Sequence, residues 1–366
     1  AASRLAVGVG ALSRAYFMSK RAAGSPGGAP PAKKRAMASS TLPALPTRPS
    51  CAATLVFPTE TFEGLTKEFQ DRQDRRDAVF ASVKGVTKGC DRAVMSLLRG
   101  QKDEAEALVV KSQSQVEAGC SLCKSEEDRN GALAGSVEAF VKALAMLKFF
   151  ETGTLITKAQ VPFANRSEYL LGVMAFCQEL QRYAVLRGTE KDVASLGVSK
   201  KLVDAVNAEL MLFDWKNGPL RHKYDSLKYV VRQFEDKLFE LSLQEGVDVA
   251  SINALSEATD DYALVETSEF VAMRTEMEEY DDKRETVIKQ CRDMQKGSKN
   301  SIFMLHRGDL DKAKAQLETV KKQAEALLPL VAQHEALRQG SFSSAMEEYA
   351  EGLLFLVFLQ EGRIAT

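Results

Sequence analysis

Two glutamates, Glu348 and Glu351, stand three residues apart in a helix-forming run, and side chains at that spacing share one helix face. Continuing the face reaches Phe355 and Phe358, so both acids point toward its apolar side. Carboxylates of this kind can ligate a hard divalent cation such as magnesium, which needs further oxygens converging from separate elements. Acids in an EE run also read as solvated surface, and the residues alone leave both readings open. A second constellation is basic. Arg72, Arg76, Lys84, Lys88 and Arg92 lie along one long helical segment, and Arg284, Arg292 and Lys296 repeat the spacing of Arg76, Lys84 and Lys88. Cations four or eight apart make a slowly winding stripe suited to the phosphates of a nucleic acid. The competing reading is an ordinary solvated face balanced by acids such as Asp77 and Asp91. Trp215, Tyr224 and Tyr229 are of a type that stacks on bases, but aromatics at helical spacing more often pack in a core.

Sulfur chemistry is poorly supported. Cys120 and Cys123 form a CxxC, yet no second pair follows and the chain has only three histidines, whereas a structural zinc site needs four ligands. The six cysteines, scattered through helical patterns, suit reduced thiols of an intracellular protein.

The elements that must position these residues are helical. Only 10 prolines interrupt 366 residues, and long stretches lack both proline and glycine. The apolar run Leu353–Leu359 is too short to span a bilayer, so no membrane partner is expected. Net charge is −1, but eight basic residues precede the first acid, Glu60, which leaves the remainder at −9. Such a body cannot hold polyanions by its overall field, so binding requires a local basic surface or oligomerisation that concentrates one.

Residues 1–55, rich in Ala, Ser, Gly and Pro, are expected to be a disordered basic segment. Lys20-Arg21 and Lys33-Lys34-Arg35 fit a bipartite nuclear signal, while an acid-free start with Arg and Ser fits an organelle transit peptide. Translation from Met18 would favour the nuclear reading. From Phe62, Val79, Val83, Val86, Cys90, Val94 and Leu97 recur at steps of three and four, closed by Gly100. Further helices are expected over about 103–124, 131–151, 166–188 and 196–213, and one begins at Pro219, a favoured first-turn residue. That last helix would bury Leu220, Tyr224, Leu227, Val231, Phe234, Leu238 and Leu241. The pattern then repeats: KGCDRAVMSLLRG from Lys88 to Gly100 matches KGSKNSIFMLHRG from Lys296 to Gly308 at an offset of 208, which becomes 209 at Gly153 and Gly362.

Specific runs resemble the translin family. They are KNGPLRHKYDSLKY (Lys216–Tyr229), ETGTLIT (Glu151–Thr157) and YLLGVMAFCQEL (Tyr169–Leu180). In the second copy, DKRETVIKQCRD (Asp282–Asp293), SKNSIFMLHR (Ser298–Arg307) and EEYAEG (Glu347–Gly352) resemble translin's partner, translin-associated factor X. The resemblance implies an all-α fold: a bundle of about seven helices over 56–245, a linker at 246–262, and the N-terminal half of a second such domain over 263–366. It further implies closed oligomeric shells of like or mixed subunits, binding of single-stranded DNA and RNA, and small-RNA and transfer-RNA processing in cytoplasm and nucleus.

In the family, nuclease activity belongs to the partner subunit, where four carboxylates from two helices bind a divalent cation. In the first copy those positions fall on Ala139, Lys142, Ala175 and Glu179, so it is expected to be catalytically dead. Glu348 and Glu351 match the first carboxylate pair, an inherited metal-binding half-site for which magnesium is the candidate ion. The favoured expectation is a non-catalytic single-strand-binding subunit that needs no cofactor to bind. A magnesium-dependent endoribonuclease taking ligands from another chain, and a purely structural scaffold, are the alternatives.

Overall fold

The structure is a computed structural model that describes residues 59–243 and 263–362. Among these residues there are helices and no strand. The expected linker at 246–262 and the basic segment at 1–55 lie outside them, as does the Lys20–Arg35 pattern. The described residues all fall within one compact unit.

The first copy comprises α1 (Thr59–Ser82), α2 (Val86–Leu98), α3 (Lys102–Leu122), α4 (Ala132–Thr152), α5 (Arg166–Thr189), α6 (Val193–Met211) and α7 (Pro219–Ser242). A single helical turn, Glu126–Arg129, precedes α4, and a 3-10 turn, Lys158–Gln160, precedes α5. The second copy comprises α8 (Thr267–His306), α9 (Leu310–Gln333), a 3-10 turn (Glu335–Arg338) and α10 (Ser341–Glu361).

The periodic positions behave as their spacing dictates. Val79, Val83, Val86, Cys90, Val94 and Leu97 are all buried. In α7, Leu227, Phe234 and Leu241 are buried, while Leu220, Tyr224, Val231 and Leu238 pack half-covered against the same core. Pro219 takes the first turn of α7 as expected. One expectation fails. The first helical segment is not continuous to Gly100: it breaks at Gly85, whose φ of 88° lies in the left-handed region that suits glycine. In the second copy Asp293 stands at that position, and α8 runs unbroken for 40 residues.

The repeat is visible in the backbone. Gly100 and Gly308 end corresponding helices at φ of 76° and 82°. Gly131 and Gly340 start α4 and α10 at φ of 86° and 69°, and Gly153 and Gly362 end them at 71° and 67°. Only the core differs in completeness. Helix α5 crosses α4 so closely that a Cβ on Gly172 would stand 2.5 Å from the Cβ of Val141. Among the described residues α10 has no counterpart of α5 over it. Phe358 is therefore 40% exposed where Phe149, its equivalent on α4, is 7% exposed. Within the apolar run Leu353–Leu359, Leu353, Leu354 and Phe358 are exposed.

Candidate nucleic-acid interface

The break at Gly85 divides the basic stripe. Arg72 and Arg76 lie on α1, Lys84 in the turn, and Lys88 and Arg92 on α2. Two of the five are engaged within the chain: Arg72 pairs with Glu127 at 3.3 Å and covers the Phe69 ring, and Arg92 meets Glu104 at 3.5 Å. Arg76, Lys84 and Lys88 are exposed, and among the described residues none of them forms an ion pair. The same holds for Arg284, Arg292 and Lys296, all on the unbroken α8. Cations held by a neighbouring carboxylate are partly neutralised, so these six present the more available charge.

Arg284 also enters a setting that sequence spacing could not show. It lines a cleft of about 450 Å³ between the two copies, with Arg166, Lys216, Tyr280 and Asp281 around it. Arg166 is tethered by Glu276 at 3.3 Å, and Lys216 bonds to Asp214. Burial raises the pKa of the Asp281 carboxyl, while the neighbouring Lys216 and Arg284 cations act in the opposite direction. Arg166 and Lys216 were missed because nothing in the linear order brings them beside residue 284.

The three aromatics separate. Trp215 is buried, stacked on Phe213 at 4.8 Å and Tyr224 at 5.4 Å, and its indole N–H donates to the Leu210 carbonyl at 3.0 Å. It is a core residue. Tyr229 is exposed, with the Lys228 ammonium 5.1 Å from its ring centre, and it alone of the three offers a face to a base.

At the carboxylate positions of the first copy, Ala139 and Ala175 are buried. The Lys142 ammonium lies 2.8 Å from Asp91 and 3.5 Å from Glu179, and Arg182 binds Glu179 at 2.9 Å. Burial opposes the Lys142 charge, but the hydrogen bonds and charges of Asp91 and Glu179 outweigh it and raise its pKa. A cation paired inside the chain thus stands where the resemblance would place a carboxylate, and the residues present do not fit a divalent ion.

The second copy reverses the polarity. Lys299, at the position of Asp91, pairs with Glu348 at 3.2 Å, while Glu351 stands exposed at the position of Lys142. Among the described residues no group of three or more His, Cys, Asp or Glu side chains could hold a metal ion. The CxxC thiols of Cys120 and Cys123 are half-buried, with pKa values raised by burial, so they stay protonated. No helix among the described residues is long and apolar enough to cross a membrane.

Known proteins resemble this chain in matching segments. Translin from Gallus gallus is 28% identical over 121 residues, which is 30% of this chain and 53% of that protein. Translin from Homo sapiens is 26% identical over the same share of each. The chain therefore spans about half the length of the curated relatives it matches. The crystal structure of apo-NeC3PO overlaps 50% of this chain and 98% of its own, at 15% identity and a TM-score of 0.43. The AfC3PO–duplex RNA complex overlaps 50% and 97%, at 16% identity and a TM-score of 0.44. The model of the Translin family matches residues 74–245 and again residues 282–366, most of the chain, and the chain belongs to the Translin family.

Proposed function

We propose that this chain is a single-strand DNA- and RNA-binding, non-catalytic subunit of an oligomeric RNA-processing assembly, working in cytoplasm and nucleus. The observation that carries the reading is the repeated set Arg76, Lys84, Lys88 and Arg284, Arg292, Lys296: same spacing, exposed, and without ion pairs among the described residues. A body whose remainder carries a net −9 has no general attraction for polyanions, so such a set supplies contact locally.

Filter binding of single-stranded RNA across a salt series tests it. Each phosphate contact contributes about 0.7 to the slope of log affinity against log salt on single strands. Replacing Arg76, Lys84 and Lys88 together by alanine is expected to flatten the slope by about 2. Unchanged affinity and slope would reduce the stripe to a solvated face and leave the scaffold reading. The endoribonuclease reading has one supporting observation, the Glu348 and Glu351 pair on one face of α10. Against it stand Lys142 in the first copy and Lys299 on Glu348 in the second. The purified chain is expected not to cleave single-stranded RNA with magnesium. Cleavage that is lost on Glu348→Ala/Glu351→Ala would show the half-site completed between chains.

A further inference from the structure

The N-terminal half of α8 docks in a groove of the first bundle, where Phe270 and Met273 are buried in the first core. Beyond that contact the two copies part and enclose the cleft of about 450 Å³. Arg166 and Leu171 of α5, Lys216 and Leu220 wall it on one side, and Met277, Tyr280, Asp281 and Arg284 of α8 wall it on the other. Its volume falls within the range of small-molecule sites.

Two helices of 24 residues, α5 and α7, both begin at this cleft, which touches Arg166 and Ser167 in the first turn of one and Pro219 and Leu220 in that of the other. The first N–H groups of a helix have no acceptor within it, and the aligned peptide dipoles place about half a positive charge there. No side chain caps the start of α7. Arg166, Lys216 and Arg284 bring three cations from three separate segments, against the carboxylates of Glu126 and Asp281. Arg284 forms no ion pair among the described residues. Arg166 engages Glu276 through Nε, while its buried Nη1 has no hydrogen-bond partner among the described residues. A buried donor left open is costly, and an acceptor brought by a ligand removes that cost. The rest of the wall is apolar, with Leu171, Leu220, Met277 and the edge of Trp215. Donors and positive charge beside an apolar wall suit an anion that carries an apolar body.

We propose that this cleft binds a small phosphomonoester, with its phosphate against Lys216, Arg284 and the start of α7 and its organic body against Leu220 and Met277. A phosphomonoester near neutral pH carries about 1.5 to 2 negative charges and three acceptor oxygens. It can therefore take donors from several sides at once, as a carboxylate cannot. The site is separate from the exposed stripe on α1 and α2, which can follow a strand without any cleft.

Phenyl phosphate is the probe, because it is a phosphomonoester on an apolar ring and is not a nucleotide. Trp215, the single tryptophan of the chain, lines the cleft, so its emission reports occupancy. Titration of the full chain is expected to change that emission saturably, with a dissociation constant on the order of 1 mM, the range open to a ligand of so few atoms. Ligand-observed NMR of the same titration detects any binding to which the indole is silent. Lys216→Gln combined with Arg284→Gln, both at exposed positions, is expected to weaken binding about ten-fold or more. Phenol and inorganic phosphate, each lacking one half of the ligand, are expected to bind about ten-fold more weakly than phenyl phosphate. No saturable binding by either readout overturns the proposal, as does binding that survives the double variant. Displacement of phenyl phosphate by an unphosphorylated single-stranded oligoribonucleotide would assign the cleft to the strand interface and overturn it as well. The salt slope at Arg76, Lys84 and Lys88 is independent of these outcomes, so strand binding and the cleft can fail separately.

Discussion

Replacing Gly172 by alanine sets two effects of opposite sign against each other. In a helix interior alanine is favoured over glycine by about 1 kcal/mol. At this position, however, the new Cβ would stand 2.5 Å from both Cβ and Cγ1 of Val141 and 3.0 Å from the carbonyl oxygen of Glu138. Carbon atoms pack best at about 3.5–4.0 Å, so α4 and α5 would have to separate by roughly 1 Å. Val141 cannot swing aside, because a β-branched side chain in a helix has one strongly preferred rotamer, and the Glu138 oxygen is backbone. Overpacking costs about 1–3 kcal/mol and occasionally more. Contact this deep belongs at the upper end, for a net loss of about 2 kcal/mol. Gly135, on α4 with nothing within 4 Å of its Cβ position, is the control. Its alanine variant is expected to gain about 0.5–1 kcal/mol. Urea unfolding of both variants measures the difference, and Val141→Ala added to Gly172→Ala should recover part of the loss. If Gly172→Ala stabilises as Gly135→Ala does, the close crossing that holds Lys142 against Glu179 is wrong.

Two further outcomes are expected at ionisable groups. The Asp192 carboxylate caps α6 by accepting the Ser195 N–H at 3.0 Å, and hydrogen bonding from Ser195 lowers its pKa. A lowered carboxyl pKa gives stability that is present above the unfolded value and lost as pH falls through the folded one. Asp192→Ala should therefore cost about 1 kcal/mol near neutral pH and progressively less in acid, read by urea unfolding at each pH. Lys142→Met should cost about 1–2 kcal/mol, because among the described residues Glu179 then keeps only Arg182 as a cationic partner. Since the Lys142 pKa is raised, its contribution is whole below the unfolded lysine value and fades as pH rises through the folded one. A Lys142→Met penalty unchanged at strongly alkaline pH would refute the pairing.

The helices and the repeat were legible because each rests on local signals. A three-and-four spacing of apolar residues marks a face, and paired glycines at one offset mark equivalent helix ends. The break at Gly85 was not legible, since glycine within a periodic run can continue a helix or turn left-handed, and Gly89, four residues on, does continue one. Lys142 and Glu179 could be named from the resemblance. The meeting of Lys142 with Asp91 could not, because that ion pair joins residues from separate helices at a distance that spacing does not encode. The fate of Trp215 and Tyr229 was ambiguous for the opposite reason. Both suit a core by type, and only the neighbours Phe213 and Tyr224 decide that the indole is enclosed.

Helix α8, at 40 residues, is a rod about 60 Å long that belongs to two cores at once. Its first half contributes Phe270 and Met273 to the first bundle, and its second half contributes Val287, Cys291 and Met294 to the second copy. During synthesis the N-terminal copy leaves the ribosome first and can fold before the rod appears. The docking groove is then already built when Phe270 emerges, and anchoring there aligns the rest of the rod before α9 or α10 exists. Nucleation, the costly step for an isolated helix, is thereby borrowed from a finished surface. The second copy inherits its starting orientation from the first, and unfolding of the first bundle would withdraw it.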